Sequence, residues 1–324
     1  MEILRYGLWI WTAALLIGGL IPLFHFQIWW LRAWTYARLQ MFILSGLTLI
    51  TLLSIFGLDR PDEKIVLLVS LIVAVLSLRD ILCFTPIWPK QALNIKDTED
   101  HISVSLLVGN VLQDNDNADG LIGAITQTDP DLVFLCETNE QWRQRLSPLE
   151  TYFEHSYLLP LEDYNGMLFY SKFPIKNVEE RYLVQDHIPS LRIDLDLPNE
   201  GDLRLYAVHP RPPRPEDNTE KLDHELIHVG KEVCDYTKPV IVTGDLNDVG
   251  WSRTIKTFLE TSGLEDPRRG RGLYNSYNAK IPVVRWPLDH IFHSTHFGVI
   301  RIKRLPKFGS DHFPIIAELG LRLK

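Results

Sequence analysis

Residues 240–247 read VIVTGDLN. Four consecutive β-branched residues closed by Gly-Asp and Asn describe a buried strand that emerges into a turn. A carboxylate and an amide at that point stand where α/β proteins place their sites. The same pattern recurs outward along the chain: Asn110 follows SLLVG, Glu137 follows LVFLC and His209 follows LYAV. Two later segments, PLDHIF and GSDHFP, add Asp289, Asp311 and His312. Strand-like runs alternate with polar turns from His101 onward, with helical stretches at 117–128 and 216–236, so the C-terminal part is α/β.

Together these positions supply four carboxylates, two amides and two imidazoles. Carboxylate and amide oxygens are hard ligands suited to Mg²⁺ or Mn²⁺, and such an ion neutralises charge that develops on a phosphate during in-line displacement. A histidine with an acidic partner holds one tautomer and accepts a proton from water, and Asp289 with His312 is the candidate pair. Cys83, Cys136 and Cys234 are too few and too far apart for a disulfide framework or a thiolate zinc site.

At 324 residues and 46% hydrophobic, the chain exceeds one ordinary domain and is neither a disordered polymer nor a collagen-like repeat. Its first hundred residues carry eight basic and eight acidic side chains; the remainder carries 25 and 33, which accounts for the net charge of −8. That acidic balance argues against charge-driven wrapping of duplex nucleic acid. Three apolar runs, at about 7–30, 39–58 and 65–84, each match a bilayer core of about 30 Å at 1.5 Å per helical residue. Six of the nine tryptophans (Trp9, Trp11, Trp29, Trp30, Trp34 and Trp88) lie in this half, mostly at run ends, as interfacial rings do. The expected organisation is a three-helix transmembrane region over 1–84, a Pro-containing linker over 85–100 and a catalytic domain over 101–324. Arg79 and Asp80, at the end of the third run, read as interfacial side chains. Flanking charges (Arg5, Arg60 and Lys64 against Arg32, Arg38, Lys90 and Lys96) do not fix the orientation.

The segments GNV, CE, VHP, GDLN, LDHIF and SDH occur in the order in which the endonuclease/exonuclease/phosphatase superfamily, also called deoxyribonuclease-I-like, arranges its active-site motifs. The resemblance covers about 102–321, and with the preceding spans the chain looks like the bacterial membrane-anchored branch. It implies a four-layer α/β sandwich of two packed mixed β-sheets carrying one divalent-metal phosphoesterase site. By the same resemblance Glu137, with Asn110 and Asp311, would hold Mg²⁺ (or Mn²⁺). Asp245 and Asn247 would position water and a phosphate oxygen, and His312, oriented by Asp289, would act as general base or bind phosphate. His209 would stabilise the transition state or protonate the leaving oxygen. The expected protein is an integral protein of the bacterial inner membrane with its catalytic domain outside the cytoplasm. It would hydrolyse phosphodiesters or phosphomonoesters. Nuclease activity is favoured because it is common in the superfamily, with phospholipid, sphingolipid or inositol-phosphate hydrolysis as the alternative.

Arg268, Arg269, Arg271 and Arg285, with Tyr274, Tyr277 and Trp286, offer a basic and aromatic loop for a phosphate-bearing substrate. A competing motif, HELIH at 224–228, matches the zinc-protease pattern H-E-x-x-H. On a helical wheel, however, Leu222, Leu226, Val229 and Val233 form the apolar stripe and turn His224 and His228 away from the core. A zinc protease and a non-catalytic binding protein are therefore the remote readings.

Overall fold

The computed structural model describes residues 2–24, 26–95, 100–198, 201–212 and 220–323, apart from the side chain of Leu222. Residues 96–99 of the expected linker, Lys96 among them, lie outside these. The first apolar run is not one helix. Helix α1 (Glu2–Leu20) tightens into a 3₁₀ turn, Ile21–Leu23, that contains Pro22, and Phe24 leaves it in an extended conformation. The chain re-enters a helix only at α2 (Trp29–Arg32). Helix α3 (Arg38–Thr51) continues as a π turn over Leu52–Phe56, and α4 (Pro61–Ile81) as a 3₁₀ turn over Leu82–Phe84. Three helices, Glu2–Leu23, Arg38–Phe56 and Pro61–Phe84, are thus long and apolar enough to cross a membrane.

The rest is a sandwich. One sheet holds β1 (His101–Asn110), β2 (Leu132–Cys136), β3 (His155–Leu159), β4 (Met167–Ser171), β10 (Phe297–Arg304) and β11 (Ile315–Arg322) in the order β10-β11-β1-β2-β4-β3. The other holds β5 (Ile175–Arg181), β6 (Ser190–Leu197), β7 (Gly201–Val208), β8 (Val240–Asp245) and β9 (Asp289–His293) in sequence order. Pairs β1–β2 and β7–β8 are parallel and their neighbours antiparallel, so both sheets are mixed. Helices α5 (Ala118–Thr128) and α6 (Glu140–Arg145) cover the first sheet, and α7 (Glu220–Cys234) and α8 (Arg253–Ser262) the second, giving the four layers.

Side chains on a strand alternate between faces, and that parity places the polar strand ends. Val104, Leu106 and Val108 of β1 meet Leu203, Leu205 and Ala207 of β7, Ile241 of β8 and Ile291 of β9 between the sheets. The outward positions Leu107, Val133 and Leu135 pack under the first helical layer, and Tyr206, Val208, Val240 and Val242 under the second. Asn110, His209, Asp245 and Asp289 each continue the inward parity of their strand. The apolar core is therefore capped, at one end, by the polar residues singled out above.

Gly244 makes the junction possible. Its φ is +142°, and a Cβ there would stand 1.9 Å from the carbonyl oxygen of Val208. Only glycine lets β8 approach β7 closely enough to set Asp245 beside His209.

The N-terminal helices dock onto this sandwich. Ile81 and Phe84 bury against Val249, Trp251 and Leu288, with Tyr36, Leu39 and Phe42 packed around them. Trp251 Nε1 donates to the Thr35 carbonyl at 2.7 Å. The described part of the segment after the third helix runs alongside β10, with Ile95 N–H bonded to the Val299 carbonyl at 3.1 Å and Val299 N–H to the Leu93 carbonyl at 2.8 Å.

Candidate active site

The parallel pairs bring strand ends side by side. Asn110 aligns with Cys136, so Glu137 follows next to it, and Ala207 aligns with Thr243, so His209 and Asp245 emerge together. Asp289, which opens β9, pairs directly with Asp245. Across the gap between the sheets, the Asn110 amide donates to Glu137 Oε1 at 2.7 Å and to Asp245 Oδ2 at 3.0 Å. Its oxygen accepts from Leu112 N–H at 2.9 Å, which fixes the amide's orientation. One side chain thereby ties the carboxylates of both sheets.

On the other wall His312 Nδ1 bonds Asp289 Oδ2 at 2.7 Å, and its Nε2 faces Asp245 Oδ2 at 3.6 Å. His209 Nε2 stands 3.9 Å from the same oxygen, and both His209 ring nitrogens are buried without a hydrogen-bond partner. Asp245 closes its own turn by accepting from Asn247 N–H at 3.0 Å, while the Asn247 amide donates to the Pro210 carbonyl at 3.0 Å and so holds the loop that carries His209. Asp311 is one hydroxyl away from Asn110: Ser310 Oγ donates to the Asn110 carbonyl at 2.8 Å and lies 3.5 Å from Asp311 Oδ1.

Burial pushes the Glu137 carboxyl above its ordinary range. Asp245 is also fully enclosed, yet His312, His209 and the Asn110 amide more than offset burial and hold its carboxyl low. Burial opposes charge on His312 as well, but Asp289 and then Asp245 raise the imidazole to about 10. A histidine so placed holds a proton firmly beside two carboxylates.

Sequence reasoning missed the residues that steady this set. Ser276 Oγ accepts from the N–H groups of Leu288 and Asp289 at 3.1 and 3.0 Å, and Ser310 Oγ accepts from His312 N–H at 2.9 Å. Tyr277 packs on His312 with ring centroids 5.0 Å apart and stacks on Trp286, which in turn meets Tyr36 edge-on. The Tyr36 hydroxyl, kept protonated by burial and by Asp248, donates to the Asn247 carbonyl at 2.5 Å. Ser276 and Tyr36 carry no local signal of such roles, and Ser310, although inside GSDHFP, is overshadowed there by Asp311 and His312.

The arginine loop is a correction in part. Arg268 is buried: its guanidinium holds both Asp266 oxygens and donates to His290 Nδ1 at 2.7 Å. His290, driven neutral to about 3 by burial and by Arg268, passes its other N–H to the Asp248 carbonyl at 2.8 Å. Arg271 is tied to the Pro267 and Ala92 carbonyls, and Arg269 lies 6.0 Å over the Phe84 ring. None of these three makes a contact with the strand-end set, because the loop folds back toward the N-terminal helices. Arg285 is different, lying over Phe313, the neighbour of His312, at 5.0 Å.

The HELIH helix does not present a metal site. His224 and His228 are exposed, His228 bonds Glu232 at 3.1 Å, and Glu225 points inward with one carboxylate oxygen unpartnered. Burial raises Glu225 from 4.5 to about 8. A carboxyl with a raised folded-state pKa stabilises below its unfolded value and loses that contribution as pH climbs through the folded one. Glu225→Gln is therefore expected to match the parent near pH 4.5 and to unfold at higher temperature than the parent at pH 8 and above. The gap between them should widen by up to about 1.4 kcal/mol per pH unit in between. Equal pH profiles in thermal melts would contradict this.

Among the described residues, the ligand-type atoms close enough to share one cation are those of Asp245, Asp289 and His312, within 4.8 Å of one another. Glu137 joins them through the Asn110 bridge.

The sequence model described as "Endonuclease/Exonuclease/phosphatase family" matches residues 107–312, from just before Asn110 to His312 itself. The chain belongs to the endonuclease/exonuclease/phosphatase family. Solved structures with this fold include the endonuclease/exonuclease/phosphatase from Beutenbergia cavernae, at 18% identity and a TM-score of 0.54, covering 68% of this chain and 72% of that one. The family member from Bacteroides vulgatus gives 16% and 0.56, covering 68% and 100%. D. rerio TDP2, complexed with single-strand DNA product, gives 16% and 0.56, covering 67% and 98%. These likenesses concern the fold. No curated protein matches the chain. Members of the family are hydrolases acting on phosphoester bonds and generally use a divalent metal.

Proposed function

We propose that this protein is a membrane-anchored, Mg²⁺-dependent phosphodiesterase acting on phosphoesters presented at a bilayer. The observation that carries the chemistry is the convergence of Glu137 and Asp245 on one Asn110 amide, with the Asp289–His312 pair facing the same Asp245 carboxylate. The donor set fits a hard cation: three carboxylates converge with a single amide bridging two of them, and Asp289 Oδ1 is buried without a partner. Glu137, Asn110, Asp311 and Asp245 are the residues that would hold Mg²⁺, with Mn²⁺ as a substitute. When bound, the ion supplies Lewis-acid neutralisation of the phosphate.

The chain's own groups do the rest. Asp245 and Asn247 orient water, and His312 binds the phosphoryl oxygens as an imidazolium or, once deprotonated against Asp289, takes a proton from water. His209, with both nitrogens free, is placed to donate to the leaving oxygen. Arg285 beside Phe313 is left to bind substrate.

The location of the site favours a lipid-borne substrate over the nucleic acid favoured from sequence. The loop that carries Ser276 and Tyr277 also bonds, through the Val283 carbonyl, to Gln40 of the second long apolar helix. Its tip shows Ile281 and Val283 at 46% and 77% exposure. An apolar tip beside a spanning helix sits where a bilayer surface would be. The test is a panel assay of full-length protein with phospholipid and sphingolipid vesicles, inositol phosphates, single- and double-stranded DNA, and RNA. Turnover that vanishes with EDTA, returns with Mg²⁺ and is greatest on a lipid is expected. Metal-independent turnover would contradict the chemistry, and preference for nucleic acid the substrate.

A further inference from the structure

A cavity of about 440 Å³, separate from the active centre, lies between the ends of the long apolar helices and the start of α8. Its wall is cationic. Arg79, Arg253 and Lys256 line it, with Arg79 and Lys256 side chains 62% and 42% exposed. Two carboxylates, Asp80 and Glu260, also face it. Asp80 is engaged already, by buried Arg38 at 2.8 Å and by Lys256 at 3.1 Å. Arg32 reaches the cavity too, but its charge is balanced by Asp223 and Asp248. Arg79 reaches Asp80 only at 3.6 Å, so Arg79 and Arg253 are the cations least committed to protein partners.

The opposite rim is apolar, formed by Leu23, Phe24 and Phe26 at 43%, 64% and 36% exposure. Leu23 ends the first candidate span and Phe24 and Phe26 follow it, while Arg79 precedes the end of the third, at Phe84. Polarity thus changes across the cavity at the level where two spans finish, with aromatic rings on one side and guanidinium groups on the other. Basic pockets beside spanning helices recognise phosphate-bearing headgroups through charge-assisted hydrogen bonds, and the apolar rim accommodates the acyl chains. A free phosphate offers the same charge without matching the rim.

We propose that this cavity binds a phosphate-bearing anion, such as the headgroup of an anionic phospholipid, at a second site that does no chemistry. The proposal rests on the anchoring proposed above and is independent of hydrolysis. Full-length protein in detergent, in parent and His312→Ala forms, is titrated with phosphatidylglycerol, phosphatidylcholine or inorganic phosphate, reading the thermal unfolding midpoint. Phosphatidylglycerol is expected to raise the midpoint in both forms, with phosphatidylcholine giving no shift. Arg79→Gln combined with Arg253→Gln, two exposed positions, should leave the unliganded midpoint in place and weaken the phosphatidylglycerol effect at least tenfold in concentration. Protection by inorganic phosphate at similar concentrations would support the anion site and assign its ligand to solution; none at millimolar levels assigns it to the bilayer. Equal shifts with the two lipids, or an unchanged response in the double variant, would overturn the proposal.

Discussion

His312→Ala is expected to lower phosphoester turnover by about 10²–10⁴-fold, the usual contribution of a positioned acid–base group, while leaving the fold intact. The side chain ends in the gap between the sheets, where its Nδ1–H donates to Asp289 Oδ2 at 2.7 Å. Its removal also takes a counter-charge from buried Asp289 and Asp245, so some stability is lost with the chemistry and the folding control separates the two. Asp289→Asn should produce a smaller loss accompanied by a shifted pH profile, because the amide still holds the ring but no longer raises its pKa. Initial rates across pH for the two variants, with circular dichroism as the folding control, check both expectations. A His312→Ala protein within threefold of the parent would remove His312 from the mechanism.

Arg32→Ala is expected to destabilise the protein by about 3–5 kcal/mol, the cost of stranding buried charge. Arg32 stands between the first two long apolar helices, yet its guanidinium bonds Asp223 of α7 at 2.8 Å, Asp248 beyond β8 at 2.6 Å and the Thr254 hydroxyl of α8 at 2.9 Å. Burial works against its charge, but Asp248 and Asp223 keep it ionised. Loss of Arg32 leaves two buried carboxylates unpaired next to the turn that holds Asp245 and Asn247. Chemical unfolding of full-length protein in detergent, followed by tryptophan fluorescence, measures the change, and a loss below 1 kcal/mol would show that the N-terminal segment is not integral to the catalytic fold. Rescue by Asp248→Asn in the Arg32→Ala background would identify the stranded charge as the cause.

The strand ends were legible in the sequence because they obey a local rule: a β-branched run closes on a polar residue whose parity carries it inward. VIVTGDLN contains that rule entire, including the glycine that lets two strand ends meet. The alternation indicated only an α/β pattern; the two packed sheets and their helical layers were implied by the resemblance of the motif order to the endonuclease/exonuclease/phosphatase family. What the sequence concealed was tertiary. An uncharged run announces its compatibility with lipid but not where the helix stops; Pro22 signals a kink in the first run, whereas the helix ends there outright. Arg268 looked like a substrate ligand because a run of arginines before an active-site motif has no visible partner, although Asp266, two residues away, is the partner. Arg32 and Tyr36 bond residues more than 180 positions distant, and no spacing rule reaches that far.

The convergence of both sheets on one cation is tested most directly by anomalous scattering from crystals of the full-length protein soaked in Mn²⁺. A single peak within coordination distance of Glu137, on the side of the cleft shared with Asn110 and Asp245, is the predicted result. Manganese bound at the HELIH helix or elsewhere, with none between the two sheets, would contradict it.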